Sequence, residues 1–161
     1  MVTVLGIDPG YATMGYGIIS DDRQTPGADE WGCVKTSQSD GESPVRLGLI
    51  YEGVVDLIQR FNPGSMAIER LFFARNTTSA LQVSEARGVI ILAAVHHNIP
   101  VTEYTPNQVK VAITGSGSAD KKQMQEMITR LLRLPEIPRP DDAADGLSLA
   151  LCHINTSRGR R

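Results

Sequence analysis

The sequence predicts an α/β protein with a five-stranded mixed sheet flanked by helices. The chain opens on a short apolar, β-branched run that ends at Asp8, just before Pro9-Gly10. Such a run is typical of a central strand buried on both faces. Two further strand-like runs follow closely, and later segments with helical periodicity alternate with short apolar runs. This order is typical of a sheet with both antiparallel and parallel neighbours.

The first part of the chain is predicted to form an antiparallel meander. A turn over residues 10–15 joins the first strand, 2–8, to a second strand, 16–20. So short a connection makes the two strands antiparallel neighbours. Residues 21–27 are predicted to be a polar turn and residues 31–36 a third strand.

The remainder is predicted to alternate between helices and strands. Apolar residues at helical spacing follow Ser43-Pro44 and predict a helix over 43–61. A right-handed crossover then places the next strand, 65–69, parallel to the first and beside it. The other predicted elements are a helix over 79–97, a strand over 100–104, and helices over 106–113, 120–131 and, after Asp141 as a cap, 142–155.

Small residues on the long helix over 79–97 predict a close packing face, directed at the sheet or at a partner subunit. They are Ala86, Gly88, Ala93 and Ala94.

Composition is that of an ordinary globular protein, with 41% hydrophobic and 21% charged residues in 161. We expect one domain over 1–156 and a short basic tail over 157–161.

No apolar run approaches the roughly 18 residues of a membrane span, and no signal peptide opens the chain, which predicts a cytoplasmic protein. Cys33 and Cys152 are not in a CxxC pair, so free buried thiols are expected and zinc is not.

Charge is unevenly distributed along the chain. Residues 1–60 hold 4 Lys/Arg and 9 Asp/Glu, whereas residues 61–161 hold 12 and 9. This asymmetry is compatible with a polyanionic partner on one side, although ordinary enzymes can be as asymmetric.

Four carboxylates are predicted to converge. Asp8 and Glu69 end neighbouring parallel strands, and Asp142 and Asp145 share one face of the last helix. Taken singly, Asp8 could simply start a turn, and aspartates are favourable at any helix N-terminus. Together they form an all-oxygen ligand set without His or Cys, which suits Mg²⁺ or Mn²⁺. Two such ions about 4 Å apart can hold a phosphodiester for hydrolysis.

Five motifs occur in an order that resembles the bacterial RuvC Holliday junction resolvases. They are Gly6-Ile7-Asp8-Pro9-Gly10, Gly15-Tyr16-Gly17, Ala67-Ile68-Glu69, Ala86-Arg87-Gly88 and Asp142-Ala143-Ala144-Asp145. The resemblance implies a ribonuclease-H-like fold and a homodimer that makes two symmetric nicks in a four-way DNA junction during recombination and repair. It implies cooperation with the RuvA and RuvB branch-migration proteins.

The same resemblance implies a mechanism and a set of catalytic residues. Asp8, Glu69, Asp142 and Asp145 are the expected metal-binding catalytic acids, with two Mg²⁺ ions, or Mn²⁺, at each site. In-line attack by metal-activated water is expected to leave 5′-phosphate and 3′-hydroxyl ends that ligase can seal.

DNA contacts are also implied by the resemblance. Phe72 is expected to stack on an unpaired base, which is worth roughly 1–3 kcal/mol. Arg75 and Asn76 are expected at a phosphate, and Lys110 and Lys121 lie at positions associated with DNA contact. Considered alone, Phe72 could be a core residue and the lysines solvated surface charges.

Two residues depart from the family pattern. Met14 stands where Thr is usual and Gly146 where Ala is usual. Since Gly inside a helix costs about 1 kcal/mol relative to Ala, the last helix is expected to be looser around Gly146. Neither change removes a predicted ligand.

Three other functions remain open at this level. The opening motif also resembles the first phosphate loop of sugar kinases and Hsp70-type ATPases, which need two such domains and lack the Asp-x-x-Asp helix. A non-catalytic junction-binding module would have a decayed site, whereas all four acids are present. The third alternative is a related nuclease that cuts RNA–DNA hybrids.

Overall fold

Residues 1–22, 24–71 and 77–159 are described by the computed structural model. The strands within them are β1 (Val2–Asp8), β2 (Thr13–Asp21), β3 (Pro26–Lys35), β4 (Ser65–Glu69) and β5 (Val101–Tyr104). The helices are α1 (Ser43–Phe61), α2 (Thr77–His96), α3 (Pro106–Thr114), α4 (Lys121–Leu131) and α5 (Asp141–Gly159). A short 3₁₀ turn, Gln38–Asp40, precedes α1.

The strands form one mixed sheet in the order β3-β2-β1-β4-β5. β1 is antiparallel to β2 and parallel to β4, and β4 is parallel to β5. The predicted crossover is therefore confirmed, with Ile7 opposite Ile68 in the register. As a result, Asp8 and Glu69 lie at the same edge of the sheet.

The prediction for the third strand was wrong at its start. Residues 26 and 27 were assigned to a turn and residues 28–30 to no element, but all five belong to β3. β3 pairs with β2 over its whole length and contains an irregularity opposite Ile18 and Ile19. β3 is the edge strand and only partly buried, so its sequence lacks the apolar signal of β1. Pro26 stands at its first residue, where an edge strand tolerates a missing N–H.

Helices cover both faces of the sheet. Leu5 and Ile7 point into one core with α1 and α2, whereas Val4 points into the other with α3, α4 and α5. This alternation follows from the two-residue period of a strand. Met14 is fully buried in the first core, so the departure from Thr places an apolar side chain among apolar neighbours.

Glycines allow α5 to lie directly against the backbone of the sheet. A Cβ atom on Gly15 would lie 1.9 Å from the carbonyl oxygen of Asp142, and one on Gly17 would lie 2.5 Å from the amide nitrogen of Leu147. A Cβ on Gly146 would lie 2.5 Å from the carbonyl carbon of Tyr16. The prediction that α5 is looser around Gly146 was therefore wrong, because Gly146 packs tightly against the backbone of β2.

Both ends of α5 differ from the prediction. Asp141 is the first helical residue rather than the N-cap, and its carboxylate lies 3.2 Å from the Lys121 ammonium. The helix continues to Gly159, four residues beyond the predicted end, and Arg158 forms an ion pair with Asp21 at the end of β2. The first three residues of the predicted tail thus belong to the helix.

Two smaller predictions are corrected by the exposure of the side chains. Ala86, Ala93 and Ala94 are buried as predicted, but Gly88 lies on the exposed side of α2 with open space around it. Both cysteines are free, yet only Cys152 is buried. Among the described residues, no helix combines the length and apolar character that a membrane crossing requires.

Candidate metal centre

The three predicted aspartates meet where α5 begins above the edge of the sheet. Asp8 ends β1 opposite Gly15, and Gly15 contacts the backbone of Asp142. One carboxylate oxygen from each of Asp8, Asp142 and Asp145 lies within 4.8 Å of the others. The close approach of α5 to the sheet is thus what brings residues distant in sequence into one cluster.

Glu69 joins this cluster through Asp8. It ends β4, the parallel neighbour of β1, and its negative charge contributes to the raised pKa of Asp8. Glu69 lies outside the set of three mutually close oxygens. All four predicted acids are therefore at the same edge of the sheet.

Burial and mutual repulsion favour the protonated forms of these acids. Burial, followed by the charges of Asp145 and Glu69, raises the pKa of Asp8 to about 9. Burial also raises the pKa of Glu69, with a further contribution from Asp145. Burial is the largest cause of the raised pKa of Asp145. Such a cluster cannot be fully ionised near neutral pH without a compensating cation.

The donor set fits a hard divalent cation. The cluster offers only carboxylate oxygens, which Mg²⁺ and Mn²⁺ prefer to nitrogen or sulfur ligands. The three histidines form other contacts: His153 bonds with the Tyr104 hydroxyl, His96 with the Tyr51 hydroxyl, and His97 with the Ala93 carbonyl. The residues present therefore fit a hard divalent cation.

We expect the metal-free protein to lose stability as the pH rises from about 4 to 9. The pKa of Asp8 is near 4 in an unfolded chain and about 9 in the folded protein, so folding favours the protonated acid. This contribution to stability is fully present below pH 4 and is lost as the pH rises through about 9. Melting temperatures measured in EDTA across this range should fall.

Added Mg²⁺ should reduce the dependence of the melting temperature on pH. Asp8→Asn should flatten this dependence and raise the melting temperature in EDTA at pH 8. The raised pKa of Asp8 is contradicted if, in EDTA, the melting temperature of the wild type rises between pH 5 and pH 8 as steeply as that of Asp8→Asn.

A groove beside the cluster contains the two predicted lysines. Its lining includes the acids Glu69 and Asp145 together with Lys110 and Lys121. Lys121 begins α4, whose N-terminus is fixed by a hydrogen bond from the Gln123 amide to the Asp120 carboxylate. The positive charge of these lysines therefore adjoins the acidic cluster, as a phosphate-binding surface requires.

The other predicted DNA contacts are not covered by the described residues. Phe72, Arg75 and Asn76 lie in the gap after residue 71, so their predicted roles stay predictions. Arg70, immediately before the gap, is described, and its Nε lies 3.4 Å from a carboxylate oxygen of Glu103.

One residue of the site was not predicted from the sequence. The Nε of Arg87 donates a hydrogen bond of 3.2 Å to the backbone carbonyl of Glu69. Arg87 belongs to one of the family motifs, but its position 18 residues after Glu69 on a different element gives no sign of this contact. Only its place within a motif could have drawn attention to it.

Comparisons by sequence place the chain among nucleases. The sequence model of RuvC, described as crossover junction endodeoxyribonuclease RuvC, matches residues 4–153. A protein of that name from Thermotoga petrophila is 49% identical over 158 residues, which cover 98% of this chain and 95% of the relative. A relative of the same name from Moorella thermoacetica is 48% identical over 159 residues, covering 98% and 94%.

Comparisons with solved structures agree with the comparisons by sequence. The Thermus thermophilus RuvC solved in complex with a Holliday junction substrate superimposes with a TM-score of 0.94 at 35% identity, covering 99% of this chain and 97% of that one. The yeast mitochondrial Holliday junction resolvase Ydc2, at 15% identity and a TM-score of 0.66 over 94% of this chain and 78% of that one, shares the fold. The chain has the ribonuclease-H-like fold and belongs to the RuvC family of crossover junction endodeoxyribonucleases.

Proposed function

We propose that this protein is a metal-dependent endonuclease that resolves Holliday junctions by paired symmetric nicks. The observation that carries the proposal is the cluster of Asp8, Asp142 and Asp145, with oxygens within 4.8 Å, in a chain of the RuvC family. The solved relative bound to a Holliday junction supports the same substrate here.

The four acids would hold the catalytic ions. Asp8, Asp142 and Asp145 would share one Mg²⁺ or Mn²⁺, and Glu69 at the same edge of the sheet would be a ligand for a second ion. Bound ions of this kind lower the pKa of water and stabilise charge on the attacking and leaving oxygens of a phosphodiester. The chain itself contributes the fixed spacing of the acids, because β1, β4 and α5 are held together by backbone contacts. Hydrolysis would leave 5′-phosphate and 3′-hydroxyl ends.

Lys110 and Lys121 would bind the backbone of the DNA. Both line the groove that contains Glu69 and Asp145, so a phosphate held by a lysine would adjoin the acids. Contacts of this type make binding fall steeply with salt. Phe72, Arg75 and Asn76 are proposed as further contacts on the resemblance alone.

We propose that two copies associate through the exposed face of α2. Leu81, Leu92 and Val95 are 60%, 46% and 59% exposed, and with Gly88 they recur at spacings of seven, four and three that place them on one side of the helix. A Cβ on Gly88 would meet nothing within 4 Å, so a partner helix could approach closely there. Two sites related by a two-fold axis suit a junction, which presents two equivalent strands.

Replacing Leu92 by Glu should weaken the dimer. A two-fold axis would bring the two introduced charges to the same interface, so we expect the dissociation constant to rise on the order of 100-fold or more. Sedimentation equilibrium of the wild type and the variant measures this directly.

Val45→Glu is the matched control, since Val45 is 51% exposed at the start of α1. Equal self-association of all three proteins, or a monomeric wild type, would contradict the α2 interface.

Family membership also supports a proposal for the biological setting. We propose that the protein acts in the cytoplasm during homologous recombination and DNA repair, in concert with the RuvA and RuvB branch-migration proteins. This part of the proposal is supported by family membership alone.

Cleavage of a mobile four-way junction tests the proposed function. A linear duplex and an RNA–DNA hybrid of the same sequence serve as comparison substrates, each with Mg²⁺, Mn²⁺ or EDTA. We expect paired nicks in the junction only, in the presence of metal, with ends that ligase seals. Binding without cutting in any metal favours a non-catalytic module, and preferential cutting of the hybrid favours a different nuclease.

A further inference from the structure

We infer that Arg87 is a positioning residue for Glu69. It holds the backbone at the end of β4 so that the Glu69 carboxylate stays directed at the metal centre. The inference rests on the proposed function, because it concerns a ligand of the same site.

Within the described part of the chain, the guanidinium of Arg87 donates to two acceptors. Its Nε donates to the Glu69 carbonyl at 3.2 Å, and one terminal nitrogen donates to a carboxylate oxygen of Glu103 at 2.5 Å. Only 16% of the Arg87 side chain is exposed, although its partner Glu103 is 39% exposed. Arg87 thereby connects α2 to both β4 and β5.

Glu103 fixes the direction of that guanidinium. It lies on β5 opposite Ile68, one residue before Glu69 in the parallel ladder. Its second carboxylate oxygen lies 3.4 Å from the Nε of Arg70. The backbone amide of Arg70 also donates to the Tyr104 carbonyl at 2.8 Å. The chain on both sides of the Glu69 carboxylate is therefore tied to β5.

Such an anchor has a physical purpose here. Glu69 is the last residue of its strand and lines the same groove as Asp145. Because the regular strand ends there, contacts such as the one from Arg87 are what hold the Glu69 backbone and keep its carboxylate at the cluster. A guanidinium can donate to two acceptors in a fixed plane, whereas the ammonium of lysine is a single point of charge. Arginine is therefore the residue that can hold both the carbonyl and Glu103.

Direct contact of Arg87 with DNA phosphate is the competing explanation. Pro9, Glu69, Arg70 and Arg87 line a second pocket beside the metal centre, so a phosphate could be near. Glu103 separates the two explanations. Its removal leaves all positive charges in place and should improve or preserve phosphate contact, but it removes the anchor of Arg87.

The experiment compares Arg87→Lys and Glu103→Ala with the wild type. Mn²⁺ binding to the free protein is measured by electron paramagnetic resonance, junction binding is measured in EDTA, and cleavage is measured as a function of Mg²⁺. Partners that orient metal ligands typically affect metal affinity by roughly 10–100-fold. We expect a loss in that range for both variants, the larger for Arg87→Lys, with unchanged junction affinity and with near-wild-type cutting restored by high Mg²⁺.

Arg60→Lys controls for the loss of an ordinary ion pair, because Arg60 lies 2.6 Å from Glu30 on the opposite edge strand. It should leave Mn²⁺ affinity unchanged. Wild-type Mn²⁺ affinity in both test variants overturns the inference while leaving the proposed function standing. Loss of junction affinity in Arg87→Lys with wild-type behaviour of Glu103→Ala overturns it in favour of DNA contact. A wild-type protein that neither binds Mn²⁺ nor cuts contradicts both proposals.

Discussion

Asp8→Asn should reduce junction cutting on the order of 10³-fold, which corresponds to about 4 kcal/mol of transition-state stabilisation. One oxygen of Asp8 lies within 4.8 Å of oxygens of Asp142 and Asp145, and the charge of Glu69 also acts on the Asp8 carboxyl. Asn keeps the size of the side chain but removes the charge that a divalent ion needs. Single-turnover nicking rates on a mobile junction, with junction binding measured in EDTA, separate chemistry from binding.

Asp141→Asn is the matched control for that change. Asp141 occupies the first turn of α5 beside Asp142, but its carboxylate is engaged with Lys121, Gln125 and Arg139 rather than with the cluster. We expect its cutting rate to remain close to that of the wild type. Equal losses in Asp8→Asn and Asp141→Asn would mean that general charge near α5, rather than a metal ligand, limits cutting.

Gly15→Ala should impair both folding stability and cutting. The new Cβ would lie 1.9 Å from the carbonyl oxygen and 2.3 Å from the carbonyl carbon of Asp142, so the first turn of α5 must move. Overpacking of this kind costs about 1–3 kcal/mol, and more where backbone is involved. Because the displaced turn carries Asp142 and leads to Asp145, the cutting rate at a temperature where the variant is folded should also fall by at least roughly tenfold.

Gly48→Ala distinguishes this effect from the loss of glycine as such. Gly48 lies in α1, and a Cβ there would meet nothing within 4 Å. Ala should therefore leave cutting unchanged and raise the free energy of unfolding by roughly 0.5–1 kcal/mol through its better helix propensity. Thermal melts and nicking rates of the two variants provide the measurement. A stable, fully active Gly15→Ala variant would show that α5 is not held against β2 as described.

Segments with strong local patterns could be predicted from the sequence. The apolar runs that end at Asp8 and Glu69 correspond to β1 and β4, and the helical period after Ser43 corresponds to α1. Once the crossover had placed the two strands side by side, the convergence of their terminal acids followed from topology. The acids of α5 could be assigned to one helix face by their spacing alone.

Features that depend on tertiary contacts could not be predicted from the sequence. The beginning of β3 has little apolar pattern because the strand is half exposed at the sheet edge. Gly146 is unfavourable by helix propensity, and only the backbone of β2 beside it explains why a larger residue does not fit. Arg87 reaches Glu69 from a separate helix, and no spacing rule connects them. The exposure of Gly88 likewise depends on which side of α2 faces the core.

The location of bound metal tests the central claim most directly. A crystal of the protein grown with Mn²⁺ and measured at the manganese absorption edge would reveal each ion by its anomalous signal. The account predicts strong peaks in contact with Asp8, Asp142 and Asp145, with Glu69 as a further ligand. Mn²⁺ bound elsewhere, with those four carboxylates free of metal at saturating concentration, would contradict it.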